Sequence, residues 1–219
     1  MDFSWRQFRD DVWWRKIPLW KDVDYKTFID HKWQEKNAIT NHKKLLKTIQ
    51  ELVNQDFLED AKDGFLRAPM AIRVSPYLLS LMSWETPDTC PIRRQFLPLA
   101  SQLQPDHPML RFDSLNEQKD SPVKGLTHRY QDKVLFLALD TCPVYCRFCT
   151  RAYAVGSSTA TAEKVSIKAS KERWTDIFKY LREHKEVEDV VISGGDAYRL
   201  KASQIKEIGD ELLKIDHIR

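Results

Sequence analysis

The chain has 219 residues, 42% apolar and 31% charged, and its 35 basic and 32 acidic side chains leave a net charge of +3. That length suits one large domain or two small ones, and the composition is that of a soluble globular protein. A charge so near neutral gives no case for nucleic acid or an anionic membrane as partner. No stretch approaches the roughly 18 apolar residues of a membrane span. Residues 1–20 lack a signal-peptide apolar core, and Asp2, Asp10 and Asp11 argue against an acid-poor presequence. A cytoplasmic location is therefore expected.

The first part of the chain, residues 1–128, reads as a mainly helical, loop-rich wrapping segment. Its aromatics include Trp5, Trp13, Trp14, Trp20 and Trp33. Such residues can stack on bases, but the near-neutral charge favours packing against the C-terminal part or a partner subunit. Residues 24–39 and 41–54 have helical spacing, and Leu45, Leu46, Ile49 and Leu52 share one face of the second. Asn41 suits its N-cap. Pro69, Pro76, Pro87, Pro91, Pro98, Pro105 and Pro108 are expected to break residues 69–108 into short pieces. Cys90 reads as a buried small thiol.

From Lys133 the pattern changes. Val134-Leu135-Phe136-Leu137-Ala138-Leu139 is a short apolar run, expected as a strand buried on both faces. Residues 172–184 predict a helix with Trp174, Ile177, Phe178 and Leu181 on one side. Asp189-Val190-Val191-Ile192-Ser193 predicts a second buried strand that ends in Gly194-Gly195-Asp196. Residues 203–215 predict a helix capped by Ser203. Strand, loop, helix, strand, turn, helix implies parallel strands with crossover helices. The fold class is thus expected to be α/β: residues 129–219 read as the first βα units of a truncated barrel, or of a fragment of a longer protein, ending where a third strand would be expected.

Between the first strand and the first helix lies Cys142-Pro143-Val144-Tyr145-Cys146-Arg147-Phe148-Cys149. Three of the four cysteines are clustered, unlike a secreted disulfide framework, and the spacing is Cys-x3-Cys-x2-Cys. Three thiolates from one loop can hold three corners of a 4Fe–4S cluster and leave one iron open to bind and reduce something. Zinc is the alternative, but it commonly takes four ligands as two separated pairs, and there is no second cysteine pair. Gly194 and Gly195 close a strand at the ligand-binding end of a parallel sheet, where bare backbone can approach a ligand. A simple turn is the plainer reading of that pair.

The trio at the end of a first strand resembles the radical S-adenosylmethionine enzymes. Several stretches together resemble the lysine 2,3-aminomutase family within them. These are Trp33-Gln34-Glu35-Lys36-Asn37, Ser75-Pro76-Tyr77, Cys90-Pro91-Ile92-Arg93-Arg94-Gln95, the run from Gly125-Leu126-Thr127-His128-Arg129-Tyr130 to Leu135, the run from Cys142 to Arg151, and Ser193-Gly194-Gly195-Asp196. The resemblance implies a partial radical-SAM barrel and an isomerase that moves an amino group between C2 and C3 of an amino acid. It implies three cofactors: a 4Fe–4S cluster on Cys142, Cys146 and Cys149, S-adenosylmethionine, and pyridoxal phosphate. It further implies an electron donor such as flavodoxin or ferredoxin, and it allows a homo-oligomer.

By the same resemblance, Ser193, Gly194, Gly195 and Asp196 contact S-adenosylmethionine, and Arg151 pairs with the substrate carboxylate, to which a planar guanidinium is suited. A solvated surface arginine is the plainer reading of Arg151. Arg129, Tyr130 and Arg147 correspond to pyridoxal-phosphate contacts, although Arg147 could simply offset cluster charge. Lys133, Phe148 and Ala152-Tyr153 depart from the family pattern, which leaves open whether the substrate is lysine, another amino acid or a lysine on a protein. No lysine here is assignable to the family's aldimine, so the resemblance implies a cluster-bearing part. A non-catalytic remnant is the alternative.

Overall fold

The computed structural model describes residues 12–219, so Trp5 and the three N-terminal aspartates lie outside the described residues. The described chain forms two compact units. The first holds the residues up to Arg67 together with Ile72–Leu103, and the second holds Ala68–Ala71 and Gln104–Arg219. The sequence pattern places the change of character at residues 128 and 129. The second unit takes in residues 104–128 as well.

The first unit is helical: α1 (Tyr25–Ile29), α2 (His31–Lys36), α3 (His42–Ile49), α4 (Gln55–Arg67), α5 (Pro76–Leu81) and α6 (Pro91–Phe96). The single helix expected over residues 24–39 is two. Asp30 ends α1 in an extended conformation, and its side chain accepts from the Trp33 amide at 2.8 Å, so it caps α2. Asn41 caps α3 as expected, through the Lys43 and Lys44 amides. Pro76 and Pro91 start helices rather than break them. Each occupies the first helical turn, where the missing N–H costs nothing, behind a cap from Ser75 or Cys90. Cys90 is buried, and its sulfur accepts from the Ser83 amide at 3.2 Å.

The tryptophans pack within their own unit. Trp14 stacks on Phe28 with ring centroids 4.7 Å apart, and Trp13 meets Trp14, Phe28 and Tyr77 edge-on. The Gln34 side chain accepts from the Tyr77 amide at 2.8 Å. Two of the motif stretches, Trp33-Gln34-Glu35 and Ser75-Pro76-Tyr77, therefore meet around one aromatic core.

The second unit is built on a three-stranded sheet in the order β1 (Leu126–Thr127), β2 (Lys133–Leu139), β3 (Asp189–Gly194). β2 and β3 are parallel, as the crossover pattern predicts, and α7 (Lys171–Glu183) connects them. β1 pairs antiparallel to β2 and is too short for periodicity to reveal. One face packs on α7 and α8 (Ala202–Leu212): Val134, Phe136 and Ala138 meet Trp174, Ile177, Phe178, Leu181 and Ile208. Leu137 lies on the other face, with Tyr153, Ala154 and Ile167 from the segment after the cysteines. β2 is thus buried on both faces. β3 is not: Val190 and Ile192 pack towards the helices, but Val191 is 48% exposed on the other face, where with Leu135 it lines an open cavity. α8 begins at Ala202, and Ser203 lies inside it rather than capping it.

The pairing of β2 with β3 slips between Leu137 and Leu139. Such a bulge leaves a residue outside the ladder. Here the Ala138 carbonyl accepts from the Arg173 guanidinium at 2.7 Å and from the Trp174 indole at 3.0 Å. Arg173 also binds the carbonyls of Leu137 and Ile167 at 2.8 and 2.9 Å, and its removal would strand buried acceptors. Each such acceptor costs about 1–3 kcal/mol. Arg173→Met is therefore expected to lower unfolding stability by about 3 kcal/mol or more, measured by urea denaturation, and an unchanged midpoint would refute the clamp.

Candidate functional site

Both parallel strands end at the same level, and each runs into a motif. The cysteine loop leaves β2 after Leu139, and Gly194-Gly195-Asp196 ends β3. The two are joined by backbone: the Gly195 amide donates to the Leu139 carbonyl at 2.7 Å, and the Asp196 amide to the Thr141 carbonyl at 2.9 Å. This approach demands glycine. A Cβ on Gly194 would lie 2.3 Å from the Leu139 oxygen, and one on Gly195 2.4 Å from the Thr141 oxygen. Gly194 also has φ +133°, a conformation that side-chain-bearing residues rarely adopt. The pair is thus required by packing, beside any ligand it meets. The Asp196 side chain caps the next turn by accepting from the Tyr198 amide, and Ser193 is half-buried opposite Leu137.

Cys142, Cys146 and Cys149 are all half-buried free thiols. Cys142 and Cys149 pack against a small apolar cluster of Met70, Tyr145, Ala152 and Val155. Burial first, then Cys149, Asp196 and Cys146, push the Cys142 thiol up to about 11. Burial and Cys149 likewise raise Cys146. Cys142 and Cys146 therefore resist becoming thiolates unless a positive group offsets them, and coordination by a metal centre deprotonates a thiol outright. Among the described residues, no three or more His, Cys, Asp or Glu side chains are grouped to hold a metal ion. Ligands of one ion converge to within about 4 Å of one another. The three ligands of a 4Fe–4S cluster each bind a different iron, so they need not converge. Donor type, common loop and mutual repulsion fit such a cluster on Cys142, Cys146 and Cys149.

Arg151, two residues beyond Cys149, does not point into solvent. Its Nε lies 3.1–3.2 Å from both Glu117 carboxylate oxygens and its Nη2 lies 3.1 Å from Oε1. Glu117 is only 4% exposed and also accepts from the Tyr153 hydroxyl at 3.0 Å. Burial and the Glu117 charge push the Tyr153 phenol far up, so it stays a donor. Nothing in the sequence singles out Glu117, because an isolated glutamate in a polar stretch carries no pattern.

Glu117 also lines a cavity of about 260 Å³ with Thr127, Arg129, Tyr130, Lys133, Val134, Leu135 and Val191. The structure therefore gathers Arg129, Tyr130 and Lys133 from one sequence run. Arg129 already binds Asp120 at 2.6 Å and the Leu115 and Asn116 carbonyls, and the Asp120 bond raises its pKa. Tyr130 is exposed and Lys133 pairs with Asp189 at 3.6 Å. Arg147 does not line this cavity; it is half-buried in the cysteine loop, where desolvation lowers its pKa. Lys164, which no sequence pattern marks, is held by the Pro69 and Ala152 carbonyls, lies 4.7 Å over the Phe112 ring, and is lowered by burial to about 8. No helix among the described residues is long and apolar enough to cross a membrane.

This second unit is an α/β segment with a three-cysteine loop and a glycine turn side by side at the C-terminal ends of adjacent parallel strands. Known proteins give that arrangement a lineage. The chain is 35% identical over 207 residues to an L-lysine 2,3-aminomutase of Bacillus subtilis, covering 94% of this chain and 41% of that protein. It is 34% identical to an L-lysine 2,3-aminomutase of Clostridium subterminale over 93% of this chain and 46% of that one. A glutamate 2,3-aminomutase of Clostridioides difficile is 30% identical over 86% of this chain and 42% of its own length. No family model matches the chain. The resemblance to the lysine 2,3-aminomutases is borne out as homology along nearly the whole chain, which spans somewhat under half the length of these relatives.

The glycine contacts set a test. Gly195→Ala forces a methyl group into the Thr141 backbone, and overpacking of this kind costs about 1–3 kcal/mol. It is expected to lower the thermal unfolding midpoint by several degrees, and a midpoint equal to the parent's would contradict the packing.

Proposed function

We propose that this chain is the cluster-bearing part of a radical S-adenosylmethionine aminomutase that shifts an amino group between C2 and C3 of a free amino acid. The observation that carries the reading is the contact between the cysteine loop and Gly194-Gly195-Asp196. It is supported by relatives that are aminomutases for lysine and for glutamate. Cys142, Cys146 and Cys149 would hold the cluster. The Gly194-Gly195 backbone, with Ser193 and Asp196, would face S-adenosylmethionine at the remaining iron. When bound, the cluster and S-adenosylmethionine supply one-electron chemistry, and pyridoxal phosphate supplies an aldehyde that captures an amino group.

The chain's own residues bind and orient. Arg151 offers a guanidinium to the substrate carboxylate, beside the cluster loop. Arg129 and Tyr130, with Lys133, line a cavity in which a guanidinium and an ammonium could meet a phosphate. Arg147 lies within the cysteine loop, where its positive charge offsets that of the thiolates. Because lysine and glutamate enzymes match at similar identity, the α-carboxylate and α-amino group define the substrate class, and the side chain is left open by Phe148, Ala152 and Tyr153. Electrons would arrive from a cytoplasmic carrier of the flavodoxin or ferredoxin type.

Anaerobic reconstitution with iron and sulfide is expected to load about four irons per chain. The reduced cluster's electron paramagnetic resonance spectrum should shift when S-adenosylmethionine is added. Replacing any one of the three cysteines by alanine should abolish the signal. Tight zinc with no iron uptake would sink the proposal.

A further inference from the structure

The Arg151 guanidinium is held on one side only. Glu117 takes Nε and one Nη2 hydrogen, and Nη1 has no hydrogen-bond partner among the described residues. The acid that does this is not a chance surface contact. Glu117 is 4% exposed, sits on a short helical turn, Glu117–Asp120, and has its own amide bound to the Asp113 side chain at 3.0 Å. Its second oxygen is fixed by the buried Tyr153 hydroxyl. A buried carboxylate without its cation is costly, so an incoming acid does not displace Glu117; it stays and fixes the plane of the guanidinium. The edge left over, Nη1 with the second Nη2 hydrogen, is the fork that a second carboxylate can engage bidentately.

We propose that Glu117 is a positioning residue, held by Tyr153, that presents the free edge of Arg151 to the carboxylate of the amino-acid substrate. This rests on the reading of Arg151 given above. Glu117 also lines the cavity that contains Arg129, Tyr130 and Lys133. It is the side chain that links that cavity to the cysteine loop, and it fixes where a carboxylate sits relative to both. The departure at Tyr153 then has a role: it supplies the hydroxyl that holds the positioning acid.

The test uses the full chain, reconstituted anaerobically with S-adenosylmethionine and pyridoxal phosphate present. Arginines are modified with phenylglyoxal and Arg151 is followed by mass spectrometry, with exposed Arg111 as the internal reference. L-Lysine and L-glutamate are the probes, and their methyl esters are the controls. In the parent chain, one of the free amino acids is expected to protect Arg151, and its ester is not. In Glu117→Gln, the concentration needed for protection should rise on the order of 10–100-fold, the value of a charged hydrogen bond. Arg111 should be modified at the same rate in both. Tyr153→Phe keeps the Glu117 charge and should raise the concentration about 2–10-fold; it carries the test if Glu117→Gln does not fold. Parent protection that persists unchanged in the folded variants overturns the role of Glu117. Absence of protection by either amino acid in the parent overturns the reading of Arg151 itself.

Discussion

Two glycines seated against the carbonyls of Leu139 and Thr141 set the geometry on which the site depends. Parallel strands alone would bring β2 and β3 to a common end, but not within hydrogen-bond reach of each other's loops. The bulge at Ala138 turns β2, and Arg173 and Trp174 satisfy the carbonyl that the bulge releases. β3 can then lay bare backbone against the first residues of the cysteine loop. A side chain at either glycine would push the loops apart, so the contact is required by the fold itself.

Charge near the site is matched internally. Arg151 meets Glu117, Arg129 meets Asp120, and Lys133 meets Asp189. The half-buried Arg151 guanidinium needs a counter-charge to offset its desolvation, and Glu117 supplies it, while Arg129 and Lys133 are exposed and pair at the surface. The cysteines are the exception. Burial and the neighbouring thiols raise Cys142 and Cys146, and the Arg199 charge offsets only part of this at Cys142.

Helix caps show where local rules suffice. Asn41 caps α3 as its residue type predicts, because the capping bond is made within three residues. The same physics splits the helix expected over residues 24–39, since Asp30 competes for the backbone with its own side chain. Proline alone is ambiguous: Pro76 and Pro91 begin helices because a capping residue precedes each. The exposure of Val191 was not legible at all, as an apolar run looks the same whether or not its second face is covered.

The sequence by itself determined the three-cysteine loop, the parallel β2–β3 pair, the glycine turn and the kinship with aminomutases, because each is written in contiguous residues with a fixed local period or spacing. Only the tertiary structure decided that Glu117, itself held by Tyr153, grips Arg151, that Arg173 clamps the bulge, and that Arg129 is tied to Asp120. Glu117 and Arg151 are 34 residues apart, Arg173 and Ala138 are 35 apart, and Arg129 and Asp120 are 9 apart. Bonds between residues distant in the chain leave no periodicity in the sequence, since one side chain of the right reach is enough and its position is set by packing alone.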